Sequence, residues 1–264
     1  MKVATWNVNS IRTRADRVLA WLDRHDVDVL ALQETKCRDT DFPYDRFDAL
    51  GYEIAHVGLN QWNGVAIASR VGITDVAEHF DGQPSFDRNA GDTLDIFGAV
   101  LEARAVGAMC GGVRVWSLYV PNGRALSDPH YRYKLDWLDA LRSAASSWSG
   151  PTLLAGDWNV APTDADVWSV ERFVGKTHTS APERAAFDGF VAQGFSDLVR
   201  PYTPGEFTYW DYTGLRFPKN RGMRIDFILG REVTATGAFI DREERAGAGA
   251  SDHAPVVVEL AAPS

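Results

Sequence analysis

One stretch near the middle of the chain, Thr152-Leu153-Leu154-Ala155-Gly156-Asp157-Trp158-Asn159-Val160, constrains the fold more than any other. Residues 152–155 form a short apolar run introduced by Gly150-Pro151 and stopped by Gly156, the pattern of a buried strand. A strand that stops at a glycine delivers the next polar side chains, Asp157 and Asn159, to a sheet edge that water and ligand can reach. A carboxylate there takes up a proton or binds a hard cation, and an amide both donates and accepts. Gly-Asp-x-Asn also suits a plain turn. The chemical reading gains weight because other strand ends carry the same kinds of side chain.

Taken in order, residues 2–6 read as a strand ending at Asn7. Residues 15–25 follow as an amphipathic helix, with Val18, Leu19 and Leu22 on one face. A buried strand over 27–32 ends at Gln33-Glu34, and short strands at 52–57 and 64–69 flank a polar loop at 60–63. Strands are expected at 94–104 and 113–120 around a turn at 107–112, with Pro121-Asn122-Gly123 breaking the second. A helix over 131–148 precedes the central strand. Ser180-Ala181-Pro182-Glu183 is a capping box that opens a helix to about 193. An aromatic run at 207–212, a buried strand at 225–229 and a last strand at 256–260 complete the chain. Two strand-rich halves with interspersed helices predict an α/β fold, two sheets packed face to face with helices outside, as one domain over 1–264. Loops too short for crossovers predict many antiparallel pairs.

Composition narrows the function. A formal charge of −9 argues against a protein that coats nucleic acid non-specifically. It leaves room for an enzyme with a locally basic face, and residues 212–225 carry Arg216, Lys219, Arg221 and Arg224 without an acid. No run approaches the roughly 20 apolar residues of a membrane span, and the N-terminus lacks the pattern of a targeting signal. The two cysteines, Cys37 and Cys110, read as reduced thiols of a cytoplasmic protein.

Five strand ends hold the candidate chemistry: Asn7; Glu34; Tyr119 with Asn122; Asp157 with Asn159; and Asp252 with His253. Asp226 lies inside the apolar run Ile225-Asp226-Phe227-Ile228-Leu229. A buried carboxylate needs a partner, and His253 is the attractive one, since an aspartate on one imidazole nitrogen fixes the tautomer and raises the basicity of the other. Arg224 is the bland alternative. Glu34 and Asp252 with the Asn7 amide supply hard oxygen ligands that suit Mg²⁺ or Mn²⁺.

Six motifs then occur in order over nearly the whole chain. They are Thr5-Trp6-Asn7-Val8-Asn9-Ser10-Ile11-Arg12, Leu32-Gln33-Glu34-Thr35-Lys36, Tyr119-Val120-Pro121-Asn122-Gly123, Gly156-Asp157-Trp158-Asn159, Arg224-Ile225-Asp226-Phe227 and Ser251-Asp252-His253. Together they resemble the exodeoxyribonuclease III family of abasic-site endonucleases, within the endonuclease/exonuclease/phosphatase superfamily. The resemblance implies a four-layer α/β sandwich, two packed mixed β-sheets flanked by helices, whose strand-end loops meet over a divalent metal. It implies that Glu34, with Asn7 and Asp252 close by, holds the metal, and that Asp157, Asn159 and His253 belong to the metal site as well. Asp157 is then placed to activate water and Asn159 to orient it. Tyr119 and His253 contact the scissile phosphate and Asp226 orients His253; whether Asp157 or His253 is the base stays open.

Substrate-binding expectations attach to Asn122, Tyr209, Trp210, Arg221, Met223 and Ile225. The aromatic segment 207–212 resembles the part of that family that enters the duplex and walls a pocket for a base-free sugar. Met223 and Asn9 follow the bacterial rather than the eukaryotic pattern. His178 could touch a phosphate, though a solvated loop histidine is the favoured reading. The implied partner is double-stranded DNA with abasic sites or 3′ ends, met by a monomer without membrane involvement. The rival readings are a superfamily phosphatase or sphingomyelinase acting on a lipid, and a catalytically dead DNA-binding module.

Overall fold

A computed structural model describes residues 1–86 and 99–262. The elements run β1 (Lys2–Asn7), α1 (Ile11–His25), β2 (Val29–Gln33), α2 (Tyr44–Asp48), β3 (Glu53–Val57), β4 (Val65–Ser69), β5 (Thr74–Ala77), β6 (Ala105–Cys110) and β7 (Val113–Tyr119). The second half adds α3 (Pro129–Ser147), β8 (Thr152–Asp157), α4 (Val170–Phe173), α5 (Ala181–Ala192), β9 (Ser196–Asp197), β10 (Asp226–Arg231), β11 (Ala235–Ile240) and β12 (Val256–Leu260).

These strands form two mixed sheets of six. One has the order β11-β12-β1-β2-β4-β3 and the other β5-β6-β7-β8-β10-β9. Each is built around one parallel pair, β1 with β2 and β7 with β8, joined by a helical crossover. The inner faces meet in an aliphatic core of Val3, Val29, Ile67, Val106, Val115, Leu153, Ile228 and Val258. On the outer face of the first sheet α1 buries Val18, Trp21 and Leu22 with Trp6 and Leu32. On the outer face of the second, α3 and α5 bury Trp137, Leu141, Phe187 and Phe190 against Leu154, Trp158 and Phe227. The result is four layers, helix, sheet, sheet, helix, as the resemblance implied.

Local signals explain the helices. Asp128 caps α3 by accepting from His130 N at 2.8 Å, with Pro129 at the first helical position. Ser180 and Glu183 close a reciprocal capping box on α5, as the sequence predicts. Between the sheets, Gln33 accepts from Thr5 Oγ1 at 3.1 Å and donates to Ser117 Oγ at 3.0 Å. Ser117 in turn donates to Leu32 O, so a fully buried polar bridge ties the two sheets together just below the site.

Three expectations need correction. The strand expected at 94–104 falls partly outside the described residues. Over 99–104 the only described strand pairing is the single bridge Phe86–Val100, and the strand proper is β6. Gly107, expected in a turn, is an interior position of β6 opposite Trp116, whose ring would lie 2.7 Å from an added Cβ. Gly156 does not stop its strand either: β8 continues through it to Asp157, and an added Cβ would sit 1.9 Å from Leu118 O on β7. The glycine is there because the neighbouring strand backbone leaves no room for a side chain.

Gly156→Ala therefore forces β7 and β8 apart next to Asp157. It is expected to destabilise by at least about 1–3 kcal/mol, the usual effect of overpacking, in a urea melt. A wild-type midpoint would show that the close approach is not tight.

Candidate active site

Strand register places the first three site residues at one level. In the second sheet Tyr119 is the partner of Asp157 across β7–β8, and Asp226 is its partner across β10–β8. In the first sheet Asn7 pairs with Gln33, so Glu34 emerges one residue beyond the ladder. Glu34 has φ 53 and Asn159 has φ 50, the left-handed region, and each turns sharply off its strand at the cleft floor. Backbone bonds hold Glu34 there: Ser10 N donates to Glu34 O at 2.7 Å, and Thr35 N to Gly64 O at 3.1 Å.

The floor is a linked set of acids. Asn7 Nδ2 donates to Glu34 Oε1 at 2.8 Å and to Asp157 Oδ2 at 3.0 Å, joining the two sheets through their carboxylates. His253 Nδ1 lies 2.9 Å from Asp226 Oδ2, and its Nε2 lies 3.8 Å from Asp157 Oδ2. Thr208 Oγ1 also donates to Asp226 at 2.6 Å. The alternative partner, Arg224, is buried elsewhere on Thr203 and Asp197. Asn159 N donates to Asp157 Oδ1 at 2.9 Å and its Nδ2 to Val120 O at 3.0 Å, while its Oδ1 accepts from Asn122 at 3.0 Å.

This crowding sets the protonation states. Burial pushes Asp157 up to about 7, reinforced by Asp226 and Glu34 against the pull of His253 and Asn7. Burial opposes charge on His253 as well, but Asp226, Asp157 and Asp252 overcome it and raise the imidazole to about 10. Glu34 is held below the ordinary range: burial works the other way, and Lys36, 2.7 Å from Oε2, outweighs it together with Asn7. Burial raises Tyr119 well above its usual value, with the negative charge of Glu34 adding to the effect and Arg104, stacked 4.8 Å from its ring, opposing it.

Glu34, Asp157 and His253 bring ligand-type atoms within 4.8 Å of one another. Two carboxylates facing one small space fit a hard divalent cation that keeps several waters. His253, when charged, has no free lone pair and faces the same space as a donor instead. Asn7, expected as a ligand, turns its amide nitrogen to the acids and its Oδ1 to Asn9 N. Asp252 stands outside the trio, half-buried, accepting from Asn9 Nδ2 at 3.2 Å.

The expected substrate residues divide. Tyr209 packs 4.8 Å from the His253 ring and is bridged to both His253 and Met223. Met223 and Ile225 form a small apolar cluster with Ala161 and Val167 beside it. Trp210 points the other way: it is 1% exposed, bonded through Nε1 to Asn220 and packed edge-on against Phe217. It is a core residue, because adjacent residues of an extended segment face opposite sides. Arg224 is 2% exposed and does not face solvent, whereas Arg221 is exposed.

Other participants were missed. His178, expected as a solvated loop histidine, is a half-buried loop residue engaged with the site. Its Nε2 lies 3.2 Å from both Asn159 Oδ1 and Asn122 Nδ2, and burial with nearby Lys134 pushes it down to about 3. Lys134 of α3 and Glu183 of α5 form a fully buried ion pair beneath it. Lys134 donates to Asn159 O at 2.6 Å, and Glu183 accepts from His178 N at 2.9 Å. Glu183 was legible as a cap but not as a support for the site, and Lys134 had no signal beyond its place on an otherwise apolar helix face.

Residues 4–253 match the Endonuclease/Exonuclease/phosphatase family. The chain belongs to that family. It is 29% identical to exodeoxyribonuclease III of Haemophilus influenzae over 98% of this chain and 100% of that one. An AP endonuclease from Archaeoglobus fulgidus superposes with TM-score 0.89 at 31% identity, covering 98% and 99% of the two chains. A 3′ phosphatase from Neisseria, bound to a product DNA hairpin, superposes with TM-score 0.88 at 33% identity, covering 99% of each. The protein is a nuclease of a metal-dependent hydrolase family.

The charge states are directly measurable. A raised imidazole is charged below its value and neutral above it. Side-chain NMR of the metal-free protein should therefore find His253 charged at about pH 8, while His56 and His130, lowered to about 4, and His178 are neutral at about pH 5.5. A His253 that titrates between about 6 and 7 would contradict its pairing with Asp226.

Proposed function

We propose that the protein is a Mg²⁺-dependent DNA-repair nuclease. It hydrolyses the phosphodiester 5′ to an abasic site in double-stranded DNA and trims or cleans 3′ ends, acting as a monomer in the cytoplasm. The observation that carries this reading is the meeting of Glu34, Asp157 and His253 at aligned strand ends.

Glu34 and Asp157 would hold the cation, with Mn²⁺ able to substitute, and the bound ion would supply Lewis-acid stabilisation of charge developing on the phosphate and the leaving 3′ oxygen. The other steps belong to the chain. Asp157, beside the place the attacking water takes, accepts its proton. Asn159, held by Asn122, Val120 O and the Asp157 carboxylate, is rigid enough to orient that water. His253 stays charged beside Asp226 and donates to the phosphate oxygen, and Tyr119 donates from the opposite side. The apolar cluster of Tyr209, Met223 and Ile225 accepts a sugar without a base and resists a full nucleotide.

A second reading, activity restricted to 3′ ends, is favoured by His178. Its ring contacts Asn122 and Asn159, and its carbonyl accepts from Ala161 N of the apolar cluster, so it stands where an extruded sugar would have to pass. The Neisseria relative, a 3′ phosphatase, is consistent with it.

Two labelled duplexes, one with an internal abasic analogue and one with a 3′-phosphate, separate the readings when incubated with Mg²⁺ or chelator. Nicking of the first and dephosphorylation of the second, both abolished by chelator, is the expected result. End processing without nicking selects the second reading, and neither product with Mg²⁺ present overturns both.

A further inference from the structure

The rim of the cleft carries a feature that the catalytic floor does not use. Three guanidinium groups converge on one indole: Arg221 at 5.0 Å from the Trp168 ring, Arg216 at 5.2 Å and Arg172 at 6.0 Å. They line a cavity of about 210 Å³ together with Lys176, Tyr209 and Met223, and among the described residues Asp211 is its only acid.

Among the described residues none of these three arginine side chains forms a hydrogen bond or an ion pair. Most other arginines of the chain do: Arg70 with Asp26 and Asp28, Arg114 with Asp75, Arg184 with Asp164, Arg200 with Asp166 and Asp197. Asp211 feels the charge of Arg216 but forms no close ion pair with it, so in a chain of 36 acids and 27 bases four cations share one unpaired acid. Trp168 Nε1 is likewise buried without a partner among the described residues. Like charges gathered on a low-dielectric aromatic face repel one another, and an anion relieves the repulsion. A guanidinium held near an indole without a hydrogen-bond partner keeps its N–H groups free for a forked bond to phosphate.

The backbone connects this cluster to the chemistry. His253 is bridged to Tyr209, Tyr209 to Met223 and Met223 to Val167, the residue before Trp168, while Trp168 N donates to Gly222 O at 3.1 Å. Three strand spacings put the Val167 backbone roughly 14 Å from that of His253, with Tyr209, 4.8 Å from the His253 ring, lining the cavity between them.

We propose that Trp168 with Arg172, Arg216 and Arg221 is a backbone-phosphate subsite. It grips the DNA strand a few nucleotides from the scissile bond, with the indole serving as the platform that presents the arginine edges. This rests on the reading of the protein as a DNA nuclease. The subsite reads phosphate rather than bases, so it contributes affinity and reach without sequence preference.

Fluorescence anisotropy with a labelled duplex, in chelator so that no cleavage occurs, tests it across about 50–200 mM KCl, a range over which phosphate binding dominates the salt response. For Arg172→Gln/Arg216→Gln the slope of log affinity against log salt should fall by about one to two units, about one for each phosphate no longer gripped. Affinity at low salt should drop about tenfold or more. Trp168→Ala should shift the slope in the same direction with all four cations retained. Arg70→Gln/Arg114→Gln removes equal charge at the far ends of β4 and β7 and should leave the slope unchanged. If wild type binds and cuts DNA while the Arg172/Arg216 variant keeps its slope, the subsite is overturned and the nuclease reading survives. If wild type neither binds nor cuts, the nuclease reading itself fails. Weaker binding by Trp168→Ala at an unchanged slope would put a stacked base on the indole and overturn the phosphate assignment.

Discussion

Everything at the cleft follows from three carboxylates buried around one imidazole. Asp157 and Asp226 face each other across β8–β10, Glu34 comes in from the opposite sheet with Lys36 against its outer oxygen, and His253 carries the positive charge between the two aspartates. Such a floor is electrostatically incomplete, because buried like charges raise one another's protonation. Burial first, and then the neighbouring acids, raise Asp157. A divalent cation would restore the balance, and the rest of the architecture holds the acids together without one. The Asn7 amide bonds two of them, Thr208 holds a third, and the Gln33–Ser117 bridge fixes the sheets beneath.

Much of this was legible in the sequence because strand ends are legible. An apolar run followed by an acid or an amide fixes both the element and the exposure of the polar side chain, and in-register pairing does the rest. Asp226 inside an apolar run demanded a partner, and His253 is that partner. The errors have equally local causes. Gly156 and Gly107 look like strand stops because glycine usually breaks elements. Both are strand interiors that lack a side chain because Leu118 O and the Trp116 ring already occupy the space. Trp210 sits beside Tyr209 in an aromatic run, and only the alternation of an extended backbone decides which of the two faces the cleft.

His178, Lys134 and Glu183 could not be found from local pattern. Their roles depend on three segments far apart in the chain meeting beneath Asn159, a convergence that no spacing encodes. Buried ion pairs of this kind add little net stability, since desolvation offsets most of the attraction. Here the pair fixes two carbonyls and a backbone N–H, and through them the left-handed turn at Asn159. The same economy holds at the rim, where a ladder of single bridges links His253 to Val167, the residue before Trp168.

The claim that the floor awaits a cation is tested most directly by thermal melting during a Mg²⁺ titration. A ligand bound only by the folded state stabilises by about 2.7 kcal/mol at a hundredfold excess over Kd, which in a chain of this size raises Tm by roughly 5–10 °C. Wild type should show that saturable rise, and Glu34→Gln, folded and otherwise similar, should lose most of it. No rise in wild type, or an equal rise in Glu34→Gln, would contradict the account.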